Sequence, residues 1–214
     1  MQSLISLDEK VFSWFNSAIG LSPILDWLIK ILSVYAVYTV PFIILFFWFR
    51  PVPPRRSPSG HLRGAEEKTQ TYELEKIRIY LINLFVSVII SWQVIASAIG
   101  KWINRPRPDT FAGTKEILFH PPTYSFPSDH ALFFAFITAY LYLNGYKKMG
   151  NIALIITLLV SLSRVTGGFH WPGDILAGWM LGALLAYLFY LIRKPMEKYI
   201  ARPIIGVLKK IKLA

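Results

Sequence analysis

One segment of the sequence combines an arginine, a histidine and a carboxylate around a short glycine-containing turn. Arg164 ends an apolar run, His170 follows six positions later, and Asp174 lies four positions beyond that histidine. Side chains four apart lie on one face of a helix. A carboxylate beside an imidazole fixes the tautomer of the ring and stabilises its charged form. The segment therefore predicts a functional histidine that is oriented by Asp174.

A second segment opens another apolar run with Ser128, Asp129 and His130. Ser128 suits the N-cap of a helix, and Asp129 suits the positive end of the helix dipole. The free N–H groups at such an end can bind an anion. A simple capping sequence explains Ser128 and Asp129 but not His130, so this segment is a second candidate part of a site.

Three cations, Lys101, Arg105 and Arg107, follow a third apolar run within seven residues, and a proline follows each arginine. Basic residues often snorkel from helix ends to the membrane interface, and that interpretation stays open for this segment. Charge near membrane depth is costly, however, and indicates function by default. Together with two histidines and a carboxylate, these cations match phosphoryl transfer, in which positioning and charge neutralisation do most of the work.

The residues that could bind metals or cofactors are few. The chain has no cysteine, which excludes disulfides, zinc–thiolate sites, iron–sulfur clusters and cysteine nucleophiles. The sequence also shows no cluster of His, Asp and Glu with metal-ligand spacing. We therefore expect neither a metal nor another cofactor.

The composition predicts what kind of chain must position these groups. Of 214 residues, 54% are hydrophobic and only 16% are charged, whereas a soluble domain usually carries about 25% charged residues. The net charge of +11 would suggest nucleic acid as a partner of a soluble protein. On a membrane protein it more often reflects topology and contact with anionic lipid, and we expect membrane lipids and no nucleic acid as partners.

Five uncharged runs indicate membrane-spanning helices, since crossing about 30 Å of hydrocarbon takes roughly 20 apolar residues. A soluble fold would need five buried helices with almost nothing to cover them. We therefore predict an all-α integral membrane bundle with five transmembrane helices. The runs are 31–49, 79–100, 131–146, 149–163 and 175–192.

The remaining segments set the predicted domain organisation. Residues 1–24 mix charges with large apolar side chains, which is typical of an interfacial helix, although a sixth spanning helix is an alternative. A transmembrane domain follows over 25–192, interrupted by a flexible, proline-rich loop at 50–72. The tail, 193–214, alternates basic and apolar residues and predicts an amphipathic helix on the membrane surface.

The distribution of Lys and Arg predicts the orientation. One set of non-membrane segments (50–78, 147–148 and 193–214) holds 16 of these residues, and the other (the N-terminus, 101–127 and 164–172) holds 6. Because positive residues favour the cytoplasmic side, the first set is predicted to be cytoplasmic. The candidate site then faces outward.

These segments resemble the three motifs of the type-2 phosphatidic acid phosphatase family of membrane lipid phosphatases, over roughly residues 79–192. The family's third motif, Ser-Arg, five residues, His, three residues, Asp, is matched in full. Its members here are Ser163, Arg164, His170 and Asp174.

The other two motifs are matched with departures. In the second, Pro-Ser-Gly-His, Asp129 replaces the glycine, and this variant resembles bacterial undecaprenyl pyrophosphate phosphatases of the bacitracin-resistance type. In the first, Lys, six residues, Arg-Pro, only five residues separate Lys101 from Arg107. One missing residue turns a helical side chain by about 100°, so we expect Arg105 to share the role of Lys101.

The resemblance implies a role for each matched residue. His170 would be the nucleophile and form a phosphohistidine, Asp174 would orient it, and His130 would protonate the leaving oxygen and later activate water. The other candidates would hold the phosphate oxygens. They are Lys101, Arg105, Arg107, Ser128 and Arg164.

The resemblance implies a lipid phosphatase of a bacterial plasma membrane, with undecaprenyl pyrophosphate as the first expected substrate. Lipid A 1-phosphate, phosphatidylglycerophosphate and phosphatidate are alternatives, as is transfer of the phosphoryl group to an acceptor other than water. A transporter for anionic substrates is the rival of a different class. A literal copy of the second motif at 58–61 lies in the predicted cytoplasmic loop, and we interpret its His61 as a chance match.

Overall fold

The regular elements of the protein are helical throughout the residues that the computed structural model describes, which are 2–50, 63–118 and 123–213. The helices are α1 (Gln2–Asn16), α2 (Pro23–Lys30), α3 (Ala36–Phe49), α4 (Arg63–Ile89), α5 (Ser97–Ile103), α6 (Asp129–Leu143), α7 (Lys147–Thr166), α8 (Pro172–Leu191), α9 (Arg193–Met196) and α10 (Arg202–Lys210). Short π-helical segments follow α2, α4 and α9, at Ile31–Tyr35, Ile90–Ala96 and Glu197–Ala201.

Within those described ranges, four helical stretches are long and apolar enough to cross a membrane: Pro23–Phe49, Gln70–Thr110, Lys147–Thr166 and Pro172–Leu191. The all-helical membrane architecture is therefore confirmed. The remaining predicted span coincides with α6, which has only 15 residues. At 1.5 Å per residue it reaches about 22 Å, less than the roughly 30 Å of hydrocarbon. Five spans therefore remain a prediction.

Helix α6 is short and lies in the interior of a compact unit formed by residues 1–37 and 87–190. Ala131, Leu132, Phe136 and Tyr140 are each at most 1% exposed. Helix α7 runs back along α6 after a tight turn. The two helices also share a polar contact, because the hydroxyl of Thr138 on α6 lies 2.9 Å from that of Thr157 on α7. By contrast, one side of α7 leaves large apolar residues exposed, as expected for a surface that contacts lipid.

Two glycines allow α8 to approach α6 closely. A Cβ atom at Gly178 would lie 2.8 Å from the Ser128 carbonyl oxygen, and one at Gly182 would lie 2.5 Å from the Leu132 carbonyl oxygen. No larger residue fits at either place without a shift of backbone. The close approach brings together the N-terminal ends of α6 and α8, which carry two of the three candidate segments.

A second compact unit consists of residues 38–86 and 191–214. Its core includes Trp48, Ile79, Ile82, Ala201 and Ile205, so the tail helices pack against α3 and α4. Ion pairs add to this packing, with Lys209 Nζ 2.7 Å and Arg202 Nη1 3.4 Å from the Glu75 carboxylate. The predicted tail helix is present over most of its length, and its position on a membrane surface remains a prediction.

The predicted N-terminal helix is α1, and it belongs to the same compact unit as residues 87–190. In the predicted loop 50–72, helix α4 already begins at Arg63. Residues 51–62, and with them His61, lie outside the described residues. The boundaries 1–24, 25–192 and 193–214 therefore stay predictions.

The contact between α6 and α8 can be tested with Gly182→Val. The added side chain meets the backbone of α6, and we expect overpacking to lower the free energy of unfolding by about 1–3 kcal/mol. The control is Gly206→Val on α10, where a Cβ meets nothing within 4 Å. Thermal unfolding in detergent, monitored by circular dichroism, should give a lower melting temperature for Gly182→Val than for Gly206→Val. Equal melting temperatures would contradict the close packing.

Candidate active site

The three candidate segments meet at one place in the larger unit. The first follows α5, the second opens α6, and the third connects α7 to α8. Hydrogen bonds link each pair of segments: Ser125 N–H to the Arg105 carbonyl (2.8 Å), Ser128 N–H to the Asp174 carbonyl (3.1 Å), and the Trp171 indole N–H to the Pro106 carbonyl (3.0 Å).

His170 lies at the centre of this junction and is 2% exposed. Its Nδ1 is 2.8 Å from the carbonyl oxygen of Ser125. Because a carbonyl oxygen only accepts hydrogen bonds, Nδ1 must carry the proton, and the lone pair of the neutral ring is then on Nε2. The backbone of the second segment thus determines which nitrogen of His170 carries the lone pair.

Two arginines converge on that same Nε2 atom. Arg164 Nη2 lies 3.1 Å from it and Arg107 Nη1 lies 3.4 Å from it. Both arginines are buried, at 3% and 7% exposure.

Backbone carbonyls and an aromatic ring hold these two guanidinium groups in place. Arg164 Nη1 donates to the Ser33 carbonyl (2.9 Å), in the π-helical segment after α2. Its guanidinium also lies 4.3 Å from the centroid of the Phe169 ring. Arg107 Nη1 donates to the Phe169 carbonyl (2.7 Å), and its Nε donates to the Thr123 hydroxyl (3.2 Å).

Among the described residues, the positive charges of Arg107 and Arg164 are not balanced by an ion pair. No carboxylate in the described part of the chain lies within 4 Å of either guanidinium. Asp129 is near enough to interact electrostatically with both. Arg164 Nε and Ser128 Oγ are buried and have no hydrogen-bond partner among the described residues. Because buried charge and buried donors both need partners, this arrangement fits an anion with several acceptor oxygens, such as phosphate.

Asp174 supports the opposite side of the imidazole. Its Oδ2 lies 3.8 Å from His170 Nδ1, which is an ion-pair distance rather than a hydrogen-bond distance. The fully buried carboxylate accepts hydrogen bonds from the Trp171 N–H (3.0 Å) and from Arg105 Nη1 (2.7 Å). The hydrogen bond to Nδ1 that the sequence suggested for Asp174 is instead made by the Ser125 carbonyl, a backbone group that no residue-type signal could reveal.

The structure places the remaining predicted phosphate ligands differently. Arg105 forms ion pairs with Asp174 and, through Nη2, with Asp8 on α1 at 2.6 Å. Lys101 is exposed in the last turn of α5 and is not paired with a carboxylate within the described ranges. Sequence reasoning did not identify Asp8, which lies far from the three motifs along the chain.

His130 is the second residue of α6 and is half-buried. The hydrogen bond from Ser128 to Asp174 fixes the start of this helix beside the start of α8. The acid–base role of His130 remains a prediction. Among the described residues, no group of three or more His, Cys, Asp or Glu side chains is placed to hold a metal ion.

Comparison with known proteins gives a family match over the same region. Residues 77–197 match the model of the PAP2 superfamily. The undecaprenyl-diphosphatase of Sulfolobus acidocaldarius is 37% identical over 109 residues, which cover 50% of this chain and 52% of that protein. Phosphatidylglycerophosphatase B of Bacillus subtilis is 38% identical over 106 residues, covering 45% of this chain and 50% of that protein. The chain thus spans about half the length of these curated relatives.

The fold also has a counterpart among solved structures. The crystal structure of Aquifex aeolicus LpxE aligns with a TM-score of 0.60, at 18% identity, over 86% of this chain and 94% of that chain. This likeness shows the fold. The alignment extends well beyond the range of the family match.

The position of Arg107 and Arg164 beside His170 Nε2 predicts that inorganic phosphate binds there and stabilises the folded protein. At 100 times its dissociation constant, a ligand that binds only the folded state stabilises by about 2.7 kcal/mol. We expect phosphate to raise the melting temperature of the wild type, and Arg164→Gln to remove this rise. Lys101→Gln is the matched control and should respond as the wild type does; a phosphate response that survives Arg164→Gln would contradict the assigned anion site.

Proposed function

The chain belongs to the PAP2 superfamily, and from this membership and the geometry of the site we propose that it is a membrane-embedded lipid phosphatase. One observation carries the proposal: two buried guanidinium groups, of Arg107 and Arg164, meet at the Nε2 atom of His170. A nucleophilic nitrogen and two fixed cations at one point can bind a phosphoryl group and attack it.

In the proposed reaction, His170 Nε2 attacks the phosphorus atom of the substrate. A P–N bond forms, the bond between phosphorus and the leaving oxygen breaks, and His130 protonates that oxygen. A water molecule then attacks the phosphohistidine and gives a proton to His130. The P–N bond breaks and inorganic phosphate leaves, so the cycle consumes one water molecule and restores both histidines.

The surroundings of His170 suit the charge that this step creates. When Nε2 bonds to phosphorus while Nδ1 keeps its proton, the ring becomes positively charged. The Asp174 carboxylate, 3.8 Å from Nδ1, stabilises that charge. Arg107 and Arg164 stabilise the negative charge on the phosphoryl oxygens, and their burial makes the interaction stronger than it would be in water.

The proposed substrate is a lipid phosphate or pyrophosphate whose head group enters from the outer membrane face while its hydrocarbon chain remains in the bilayer. Undecaprenyl pyrophosphate is the preferred candidate. The Pro-Ser-Asp-His sequence and the outward orientation support it, as does the 37% identity with an undecaprenyl-diphosphatase. The distribution of Lys and Arg supports an outward-facing site, and the resemblance of the Pro-Ser-Asp-His sequence to bacterial undecaprenyl pyrophosphate phosphatases supports a bacterial plasma membrane. Phosphatidylglycerophosphate, lipid A 1-phosphate and phosphatidate are the alternatives.

Phosphate release by the purified protein tests the proposed function. We expect the wild type to release phosphate in the presence of a chelator, because the proposed steps use only side chains and water. His170→Ala should reduce release to background, since removing the nucleophile of such a site costs several orders of magnitude in kcat. A quenched reaction with substrate labelled in its terminal phosphate should trap labelled protein in the wild type only.

The matched control is His61→Ala, which removes the histidine of the literal Pro-Ser-Gly-His sequence at 58–61 and should leave activity unchanged. Loss of activity in this variant would mean that the wrong copy of the motif had been assigned. Binding of lipid phosphates without release of phosphate from any of them would contradict hydrolysis and favour a transporter.

A substrate panel tests the preferred lipid. Undecaprenyl pyrophosphate, phosphatidylglycerophosphate, lipid A and phosphatidate are compared in the same detergent. We expect kcat/KM to be highest for undecaprenyl pyrophosphate, and a higher value for any of the others would replace it as the assigned substrate.

A further inference from the structure

We propose that Asp8, on the N-terminal helix α1, is a positioning residue for the reaction: it holds Arg105 in place against Asp174 and so fixes the carboxylate that stabilises the charged form of His170. This inference rests on the proposed phosphatase function. Asp8 lies outside residues 77–197, over which the chain matches its family.

Both carboxylate oxygens of Asp8 contact the site. Oδ2 lies 2.6 Å from Arg105 Nη2, and Oδ1 accepts a hydrogen bond from the Gly173 N–H at 2.8 Å. Gly173 immediately precedes Asp174 in the first turn of α8, so Asp8 contacts both the residue before Asp174 and the arginine that pairs with Asp174. The side chain of Asp8 is only 14% exposed, which distinguishes this pair from an ordinary surface salt bridge.

Arg105 bridges two carboxylates with the two ends of one guanidinium group. Nη2 pairs with Asp8 and Nη1 pairs with Asp174, at 2.6 and 2.7 Å. The guanidinium also lies 5.4 Å from the centroid of the Trp171 ring. This planar, two-sided contact fixes the orientation of Asp174 as well as its position.

The charges of Asp8, Arg105 and Asp174 indicate why a second carboxylate is useful. Together these three side chains carry two negative charges and one positive charge. If Arg105 paired with Asp174 alone, it would neutralise the carboxylate on which the charged imidazole depends. Because Asp8 shares the guanidinium, a net negative charge remains beside Nδ1 of His170 when phosphorus bonds to Nε2.

Other contacts hold α1 in place independently of Asp8. Phe12 lies one turn further along the same face, is 1% exposed and packs against Trp171 with the ring centroids 5.0 Å apart. Asn16, another turn on, donates to the carbonyls of Thr166 and Lys115 and accepts from the Lys115 N–H, at 2.8–2.9 Å. Removing the charge of Asp8 should therefore leave α1 docked.

The direct test is Asp8→Asn, which keeps the size of the side chain and removes its charge. We expect kcat on the best wild-type substrate to fall roughly 10- to 100-fold, the range found when a residue that orients a histidine ligand is removed in metal sites. KM should stay within about threefold, because Asp8 does not contact the phosphate site around Arg107 and Arg164. Glu9→Gln removes the neighbouring charge on α1 and should match the wild type.

A double-mutant cycle separates positioning from a general structural role. If Asp8 acts through Arg105, then Asp8→Asn combined with Arg105→Gln should lower kcat no further than Arg105→Gln alone. Asp8→Glu should recover part of the lost kcat. Melting temperatures in detergent, measured for all variants, show that each is folded.

The outcomes distinguish this inference from the proposed function. Wild-type kcat in Asp8→Asn, or additive losses in the double variant, would overturn the role of Asp8 and leave the phosphatase assignment intact. If neither the wild type nor Glu9→Gln released phosphate from any lipid, the proposed function and this inference would both be overturned.

Discussion

The arrangement on which the site depends is the meeting of two buried guanidinium groups at one imidazole nitrogen. Like charges repel, so Arg107 and Arg164 can stay beside His170 Nε2 only if other groups hold them. Backbone carbonyls of Ser33 and Phe169 do this, and they leave the full positive charge of each arginine in place. A carboxylate in the same position would hold the arginine equally well but would neutralise the charge that an anionic substrate needs.

The helices of the larger unit bring together the segments that carry these carbonyls. Helices α6 and α8 both begin at the site, and Gly178 and Gly182 allow them to lie close enough for Ser128 to donate to the Asp174 carbonyl. The buried position of α6 also explains its length, since a helix surrounded by protein does not have to match the thickness of the bilayer.

The sequence predicted the helical membrane architecture and the three segments that the structure brings together, because charges at the ends of apolar runs are a strong signal. The sequence predicted less well which groups each of these side chains contacts. Arg105 and Arg107 have the same side chain and the same following proline, yet one binds two carboxylates and the other faces His170. Residue type shows what a group can bind, but only the fold determines which partner is near. The Ser125 carbonyl and Asp8 could not be identified for the same reason: one is a backbone atom, and the other lies on a helix more than 90 residues away from Arg105 along the chain.

The charges around His170 are divided between its two nitrogens, and this division connects the structure to the proposed chemistry. Arg107 and Arg164 lie at Nε2, whereas Asp174, bridged by Arg105 to Asp8, lies on the side of Nδ1. The field of these groups therefore opposes protonation at Nε2 and favours positive charge at Nδ1. An imidazole in this field keeps its lone pair on Nε2, and in the proposed reaction it would be stabilised as a cation when that lone pair bonds to phosphorus. The same fixed charges would thus favour both the proposed nucleophile and the proposed intermediate.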